Sequence, residues 1–224
     1  VPAYKIASFE ITDIPLIELI ASKGKPVIIS TGIAEQEDIE LALDACKRMS
    51  NTNVALLKCT SSYPAPIEEA NMAMVKDLAE RYGVISGLSD HTIGSIVPIV
   101  AAALGAKIIE KHFILDRSIG GADASFSMDE EEFTAMVKAV REAESAIGVI
   151  DYTLTEKQQK GRDFCRSLYV VKDIKEGEVF TQENVRSIRP GFGAHPKFYK
   201  DILGEKAKVD LQKGTALKMS FIKE

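Results

Sequence analysis

The stretch VISGLSDHTIGSIVPIVAAALGAKIIEKHF (84–113) decides the fold. Its apolar runs at 84–90 and 107–113 have the length and composition of buried strands, and the run at 93–106 between them predicts a helix. A strand, a helix and a second strand in about 30 residues form a βαβ unit, which pairs its strands in parallel. The stretch therefore predicts an α/β protein with a parallel sheet.

The same alternation fills the residues before this unit. Strands are predicted at 4–8, 26–31 and 54–60, and helices at 13–24, 35–49 and 71–83. Continuous apolar strands predict a sheet buried on both faces, and the polar residues after each strand are typical of a (β/α)8 barrel. Such a barrel has eight strands. We therefore expect the last five βα units of a TIM barrel, with an open sheet as the alternative.

The rest of the chain predicts a second, smaller domain. A long helix is expected at 127–148, and a polar, lysine-rich linker follows at 149–165. From Arg166 onward, short strand-like runs alternate with glycine-containing turns, which predicts a largely β fold. The predicted organisation is a barrel part at 1–148, a linker at 149–165 and a β-rich domain at 166–224.

The amino-acid composition is that of a globular protein and bears on its partners. The chain is 46% hydrophobic and 27% charged, as in ordinary globular domains, and its net charge of −5 argues against nucleic acid or an anionic membrane as partner. Three cysteines without CxxC spacing fit a reducing compartment, and no apolar run reaches transmembrane length. We therefore expect a cytoplasmic protein with neither a nucleic-acid nor a membrane partner.

Two of the three histidines, His91 and His112, end consecutive predicted strands. Strand carboxyl ends collect catalytic groups in parallel α/β folds, and neutral imidazoles are ligands for divalent transition metals. The alternative is that each histidine is a hydrogen-bonded structural residue. Two histidines at matching positions favour a metal site.

Hydroxyl groups recur at four strand ends, and one lysine lies in the first strand. Together with the backbone N–H groups of helix starts, they predict a binding site for a phosphate or carboxylate. For any single serine, helix capping is the alternative. The group consists of Lys5, Ser8, Ser30, Ser61 and Ser89.

Two loops add weaker candidates. The glycine-containing loop LDRSIGGADASFS (115–127) places Asp123 where it could meet a hydroxylated ligand, and RPGFGAHP (189–196) begins with Arg189. An arginine there could bind an acidic substrate. A solvated loop and ordinary surface charge are the alternatives.

Several segments together resemble the bacterial nonulosonic (sialic) acid synthases, over essentially the entire chain. The C-terminal part is similar to the antifreeze-like (SAF, β-clip) module of these enzymes. The resemblance implies a (β/α)8 barrel whose first three βα units precede this chain, in a domain-swapped homodimer. The segments are KIASFE (5–10), KPVIISTG (25–32), LLKCTSSYPAP (56–66), GLSDHT (87–92), GAKIIEKHFILDR (105–117) and IRPGFG (188–193).

The resemblance also implies a transferase that condenses phosphoenolpyruvate with an acetamido sugar aldehyde. His91 and His112 would be catalytic ligands of Mn²⁺ or Mg²⁺, or of Co²⁺. Glu10 would be catalytic and would lie beside the sugar. Other positions match those that hold the substrates: Lys5, Ser8, Ser30, Ser61 and Ser89 for phosphoenolpyruvate, Tyr63 and Asp123 for the sugar, and Arg189 reaching into the partner subunit's site.

Details of the sequence favour one branch of this family. SFEI (8–11), KCTSSYPAP (58–66), GGADASFS (120–127) and RSIRPGFGAHP (186–196) resemble the pseudaminic acid branch, whose sugar is a 6-deoxy-diacetamido altrose. The alternatives are an N-acetylneuraminate or legionaminate synthase. From another class, the alternative is a truncated barrel that serves as a non-catalytic or dimerising module.

Overall fold

The computed structural model describes residues 1–223, which form two compact units, the first Val1–Val149 and the second from Ile150 onward. Each unit has its own buried core. Among the described residues, every helix is too short or too polar to cross a bilayer.

The first unit is built on a five-stranded parallel sheet. Its strands are β1 (Tyr4–Ile6), β2 (Val27–Ser30), β3 (Val54–Cys59), β4 (Ile85–Asp90) and β5 (Ile108–Lys111). They lie side by side in chain order, and every neighbouring pair is parallel. All five predicted strands are confirmed. Unbroken chain order is the arrangement of a barrel, because a doubly wound sheet reverses its order at a switch point.

Helices follow the strands as predicted. They are α1 (Ile14–Ala21), α2 (Gln36–Arg48), α3 (Ala73–Tyr82), α4 (Ile96–Ala103) and α5 (Glu130–Ile147). Local signals set their ends: the Asp13 carboxylate accepts from Leu16 N at 3.1 Å at the start of α1, and Gly83, at φ 65°, ends α3. Apolar residues of α1, α2 and β1–β3 form one buried cluster under the sheet.

A glycine permits the close packing of the central strands. Gly87 in β4 lies opposite Leu57 of β3 and Ile108 of β5. A Cβ at this position would overlap the Ile108 carbonyl oxygen and lie 2.6 Å from Leu57 Cδ2. Alanine at 87 would therefore push apart the strands that carry the two histidines.

The second unit is small and β-rich. It contains α6 (Glu156–Gly161), an antiparallel pair of strands β6 (Ser167–Val170) and β7 (Val185–Ile188), and α7 (Tyr199–Ile202). Isolated bridges such as Ile174 with Leu211 complete the sheet-like core. Helix α6 lies within the stretch predicted as a linker, and it begins with a capping box of Thr155 and Gln158.

Candidate active site

The loops after β3, β4 and β5 bring three rings together. The ring centroids of His91 and His112 lie 5.1 Å apart, and that of Tyr63 lies 4.3 Å from His91. Parallel pairing of β4 with β5 places their carboxyl ends side by side, which explains why residues 21 positions apart meet. The two histidines expected to act together are therefore neighbours.

His91 is buried and firmly oriented. Its Nδ1 lies 2.9 Å from the Thr60 carbonyl oxygen, which can only accept a hydrogen bond. In the neutral ring the proton therefore resides on Nδ1, and Nε2 carries the lone pair that a ligand would use. This is the arrangement expected of a metal-binding histidine.

A buried thiol, Cys59, accompanies His91, with Sγ 3.8 Å from Nδ1. Burial raises the pKa of Cys59, but hydrogen bonding and charge attraction to His91, with help from Ser61 and Ser89, outweigh it and the net pKa is lowered. Burial lowers the pKa of His91, yet its contacts with Cys59 and the Thr60 carbonyl raise the net value. This contact between Cys59 and His91 was not predicted from the sequence.

His112 lies in a looser environment. Its Nδ1 is 3.5 Å from Asp123 Oδ2, and its ring centroid is 5.0 Å from that of the buried Phe126. Burial, and then the neighbouring His91, lower the pKa of His112. The imidazole is therefore neutral at pH 7, as a metal ligand must be. Both Asp123 and Phe126 come from the loop at 115–127.

This chain can supply part of a metal shell. Two imidazoles with available nitrogens fit a divalent cation by donor chemistry. Within residues 1–223 no group of three or more His, Cys, Asp and Glu side chains is arranged to hold a metal. His91 and His112 are therefore two candidate donors and do not make a complete metal shell by themselves.

The hydroxyl groups form a second cluster at the ends of β1 to β3. Ser8 Oγ lies 2.7 Å from Ser61 Oγ, and Ser30 Oγ is buried without a hydrogen-bond partner among residues 1–223. Gly32 closes this cluster, since a Cβ there would overlap Ser61 Oγ and lie 3.0 Å from both Cys59 Sγ and Ser8 Cβ. A buried hydroxyl without a partner suits a ligand oxygen.

The carboxylate of Glu110 contacts two more of the predicted site residues, Ser89 and Lys5. Ser89 Oγ donates to Glu110 Oε1 at 2.7 Å, and Lys5 Nζ lies 3.5 Å from the same oxygen. Lys5 also donates to the Ile6 carbonyl at 3.1 Å. Sequence reasoning did not assign Glu110 to the site. Its position two residues before His112, on the same face of a strand, was the signal that could have found it.

Glu10 and Arg189, the remaining candidates, lie in other local surroundings. The Glu10 carboxylate accepts from Ala7 N at 2.9 Å and so caps its own turn. Arg189 lies in the second unit, exposed directly after β7.

The parallel half-barrel, the paired histidines and the small β-rich unit together define the class of protein. The NeuB family matches residues 1–152 and the SAF domain matches 166–223, and the chain belongs to the NeuB family. The family and the barrel-plus-SAF fold predicted from the sequence are thereby confirmed.

The chain is similar to individual members of this family to different degrees. The chain is 52% identical, over 97% of its length, to the pseudaminic acid synthase of Campylobacter jejuni strain 81-176 and spans 64% of that protein. It is 35% identical, over 95% of its length, to the N,N'-diacetyllegionaminic acid synthase of Legionella pneumophila, of which it spans 61%. The crystal structure of the Bacillus subtilis spore coat polysaccharide biosynthesis protein SpsE has a TM-score of 0.63 at 32% identity, covering 99% of this chain and 68% of that one.

Proposed function

We propose that the intact protein containing this chain is a pseudaminic acid synthase. It would condense phosphoenolpyruvate with 2,4-diacetamido-2,4,6-trideoxy-altrose. The observation that carries this proposal is the 52% identity to the Campylobacter pseudaminic acid synthase, against 35% to the Legionella legionaminic acid synthase. The meeting of His91 and His112 at the strand ends supports a catalytic role.

In this reaction C3 of phosphoenolpyruvate forms a bond to the aldehyde carbon, and the aldehyde oxygen takes up a proton. Water adds at C2, and phosphate leaves by cleavage of its C–O bond. Lys5, Ser8, Ser30, Ser61 and Ser89 would hold phosphoenolpyruvate. The Ser30 hydroxyl supports this assignment, because a phosphate or carboxylate oxygen would satisfy a buried donor that lacks a partner.

A divalent cation, Mn²⁺ or Mg²⁺ or Co²⁺, would be held by His91 and His112. When bound it would supply a Lewis acid for the aldehyde oxygen. The chain's own contribution is to orient His91 and to favour the neutral form of His112. Hydrogen bonding to the Thr60 carbonyl fixes the His91 tautomer, and burial keeps His112 neutral.

The sugar would lie against the rings and the loop at 115–127. Tyr63 and Phe126 flank the histidines, with ring centroids 6.1 Å apart, and offer an apolar wall. Such a wall suits a sugar that carries a methyl group in place of a hydroxymethyl group. Asp123, half exposed beside His112, would accept from a sugar hydroxyl, as would Glu10.

The experiment that tests this proposal compares two sugars. We expect the intact protein to release phosphate from phosphoenolpyruvate with the 6-deoxy altrose sugar and a divalent metal, and to lose this activity with a chelator. Robust turnover of N-acetylmannosamine with none of the altrose sugar would place the protein in the sialic branch. Activity unaffected by the chelator would contradict the metal role.

A cytoplasmic, domain-swapped homodimer is the further part of this proposal, with Arg189 serving the partner's site. Co-expression of His112→Ala and Arg189→Ala subunits tests it. Each variant alone should be inactive, but mixed dimers of a swapped enzyme contain one intact site. Random pairing then restores roughly a quarter of wild-type activity. No recovery in purified mixed dimers would show that the small domain does not serve its partner.

A further inference from the structure

A buried ion pair lies beside the two histidines and has no role in the reaction outlined above. Lys111 Nζ lies 2.6 Å from Asp90 Oδ2, and the two side chains are 1% and 2% exposed. The other ion pairs of the described residues have side chains far more open to water. Asp90 and Lys111 therefore form an unusual feature of this unit.

The pair ties together the two segments that carry the histidines. Asp90 ends β4 and Lys111 ends β5, and the two residues are partners in the strand register. Each one directly precedes a histidine. Because successive strand residues point to opposite faces, the ion pair lies on the helix side of the sheet while Ser89 and Glu110 face the site.

Lys111 also holds the loop that follows His91. Its ammonium group donates to the Thr92 carbonyl at 2.5 Å and to the Gly94 carbonyl at 2.9 Å, so all three donors are used. Asp90 Oδ1 accepts from Thr92 N at 2.9 Å, and Oδ2 accepts from Thr92 Oγ1 at 3.1 Å. His91 thus lies between two residues whose positions are set by a side chain of β5.

Stability alone is a poor reason for this arrangement. Removing two charges from water costs about as much as their attraction returns, and apolar pairs of similar size are often at least as stable. What a fully bonded pair provides is a fixed geometry, because each hydrogen bond constrains both distance and direction. The groups constrained here are the backbones of the two candidate metal ligands.

We propose that Asp90 and Lys111 are positioning residues that set the separation and orientation of the His91 and His112 imidazoles. This inference rests on the proposed function in one respect, that the histidine pair binds a divalent cation. The pair acts from behind the site and touches neither substrate nor metal. Its loss would let the loop after β4 move relative to β5, and both metal affinity and coordination geometry would change.

The double variant Asp90→Asn/Lys111→Met of the intact protein tests the inference, because it removes both charges and leaves neither one unpaired. We expect it to unfold thermally near the wild-type temperature. Its dissociation constant for Mn²⁺ should rise about 10- to 100-fold, the effect usual for supporting residues of metal ligands. The visible absorption of bound Co²⁺, which reports ligand geometry, should also change.

Arg48→Met is the matched control. It breaks an exposed ion pair between α2 and α1, where Arg48 Nη2 lies 2.7 Å from Glu18 Oε1, with the same change from cation to methionine. Both the Mn²⁺ dissociation constant and the Co²⁺ spectrum should match the wild type. A change equal to that of the double variant would overturn a specific positioning role.

Three further results would overturn the positioning role of Asp90 and Lys111. A folded double variant with wild-type Mn²⁺ affinity and Co²⁺ spectrum overturns the inference and leaves the proposed function standing. Should that variant fail to fold, Thr92→Val removes the Thr92 Oγ1 bond alone, and a wild-type result there overturns the inference as well. Wild-type protein that binds no Mn²⁺ overturns the metal role of the histidines, and this inference with it.

Discussion

The ends of β4 and β5 and the ends of β1 to β3 differ in how fully their polar groups are satisfied. In the first region, the histidine half, the His91 ring is hydrogen-bonded to the Thr60 carbonyl, and Asp90 is ion-paired with Lys111. In the second, the serine half, the Ser8 and Ser61 hydroxyls hydrogen-bond to each other, and Ser30 Oγ has no hydrogen-bond partner in the part of the chain that the structure describes. A satisfied region is rigid before any ligand arrives, whereas an unsatisfied one gains most from a ligand. The histidine half is therefore ordered without a ligand, whereas the serine half has a hydroxyl group left to bind an anion.

The largest effect should come from His112→Ala in the intact protein, which removes a ligand from the histidine half. Losing a Lewis acid worth several kcal/mol corresponds to about a 10³-fold fall in kcat/KM. Metal analysis of the purified variant should show no retained cation, while circular dichroism should match the wild type because His112 is partly exposed. Unchanged metal content would locate the cation elsewhere and remove the contrast between the halves.

A smaller effect is expected from Gly32→Ala in the serine half. The added Cβ overlaps Ser61 Oγ and must break its hydrogen bond to Ser8. Displaced hydroxyls would cost the ligand about one hydrogen bond, worth about 1 to 1.4 kcal/mol, so KM for phosphoenolpyruvate should rise about five- to tenfold. Metal affinity should be unchanged, since the histidine half is untouched.

The matched control for Gly32→Ala is Gly161→Ala, because a Cβ at 161 meets open space within its unit. Its steady-state kinetics should equal those of the wild type. If Gly32→Ala weakened Mn²⁺ binding as strongly as phosphoenolpyruvate binding, the two halves could not be treated as separate.

The smallest effect concerns Ser30→Ala. Its buried hydroxyl is unpaired within the described range 1–223, so its removal should raise the free energy of unfolding of the ligand-free protein by about 1 kcal/mol. KM for phosphoenolpyruvate should nevertheless rise a few-fold, because the ligand loses a hydrogen bond. Denaturant unfolding and steady-state kinetics measure the two quantities.

The neighbouring Thr31→Val provides the contrast for Ser30→Ala. Thr31 Oγ1 donates to the Leu57 carbonyl at 3.2 Å, so this variant should be less stable than the wild type. Loss of stability in both variants would show that Ser30 is already satisfied and that the serine half is as complete as the histidine half.

Much of this architecture follows from the sequence, because the spacing of apolar residues and the residues that end helices and strands are local properties. The strand runs and the glycine and serine breaks predicted all five parallel strands, and matching strand ends predicted that His91 and His112 would meet. Contacts that depend on three-dimensional register were not predictable. Two examples are the contact of Cys59 with His91 and the hydrogen bond from Ser89 to Glu110. Both depend on how neighbouring strands are aligned.

The second unit was less predictable for a different reason. Its pairing rests largely on single bridges such as Tyr169 with Ala216, which leave no run of alternating residues to recognise. The helix at 156–161 is polar and exposed throughout, so it has no amphipathic pattern, and its capping box was the sole local signal.

The alternation at the ends of β4 and β5 also bears on how the chain folds. Were β5 to dock one residue out of place, Lys111 would turn to the face of the sheet that carries Ser89, and His112 would turn to the helix side. This slip would leave the buried Asp90 carboxylate without its counter-ion, at a cost of several kcal/mol. A misaligned intermediate is therefore penalised twice, by an orphaned Asp90 and by a displaced ammonium. The Asp90–Lys111 pair thus favours the one register of β5 that brings His91 and His112 together.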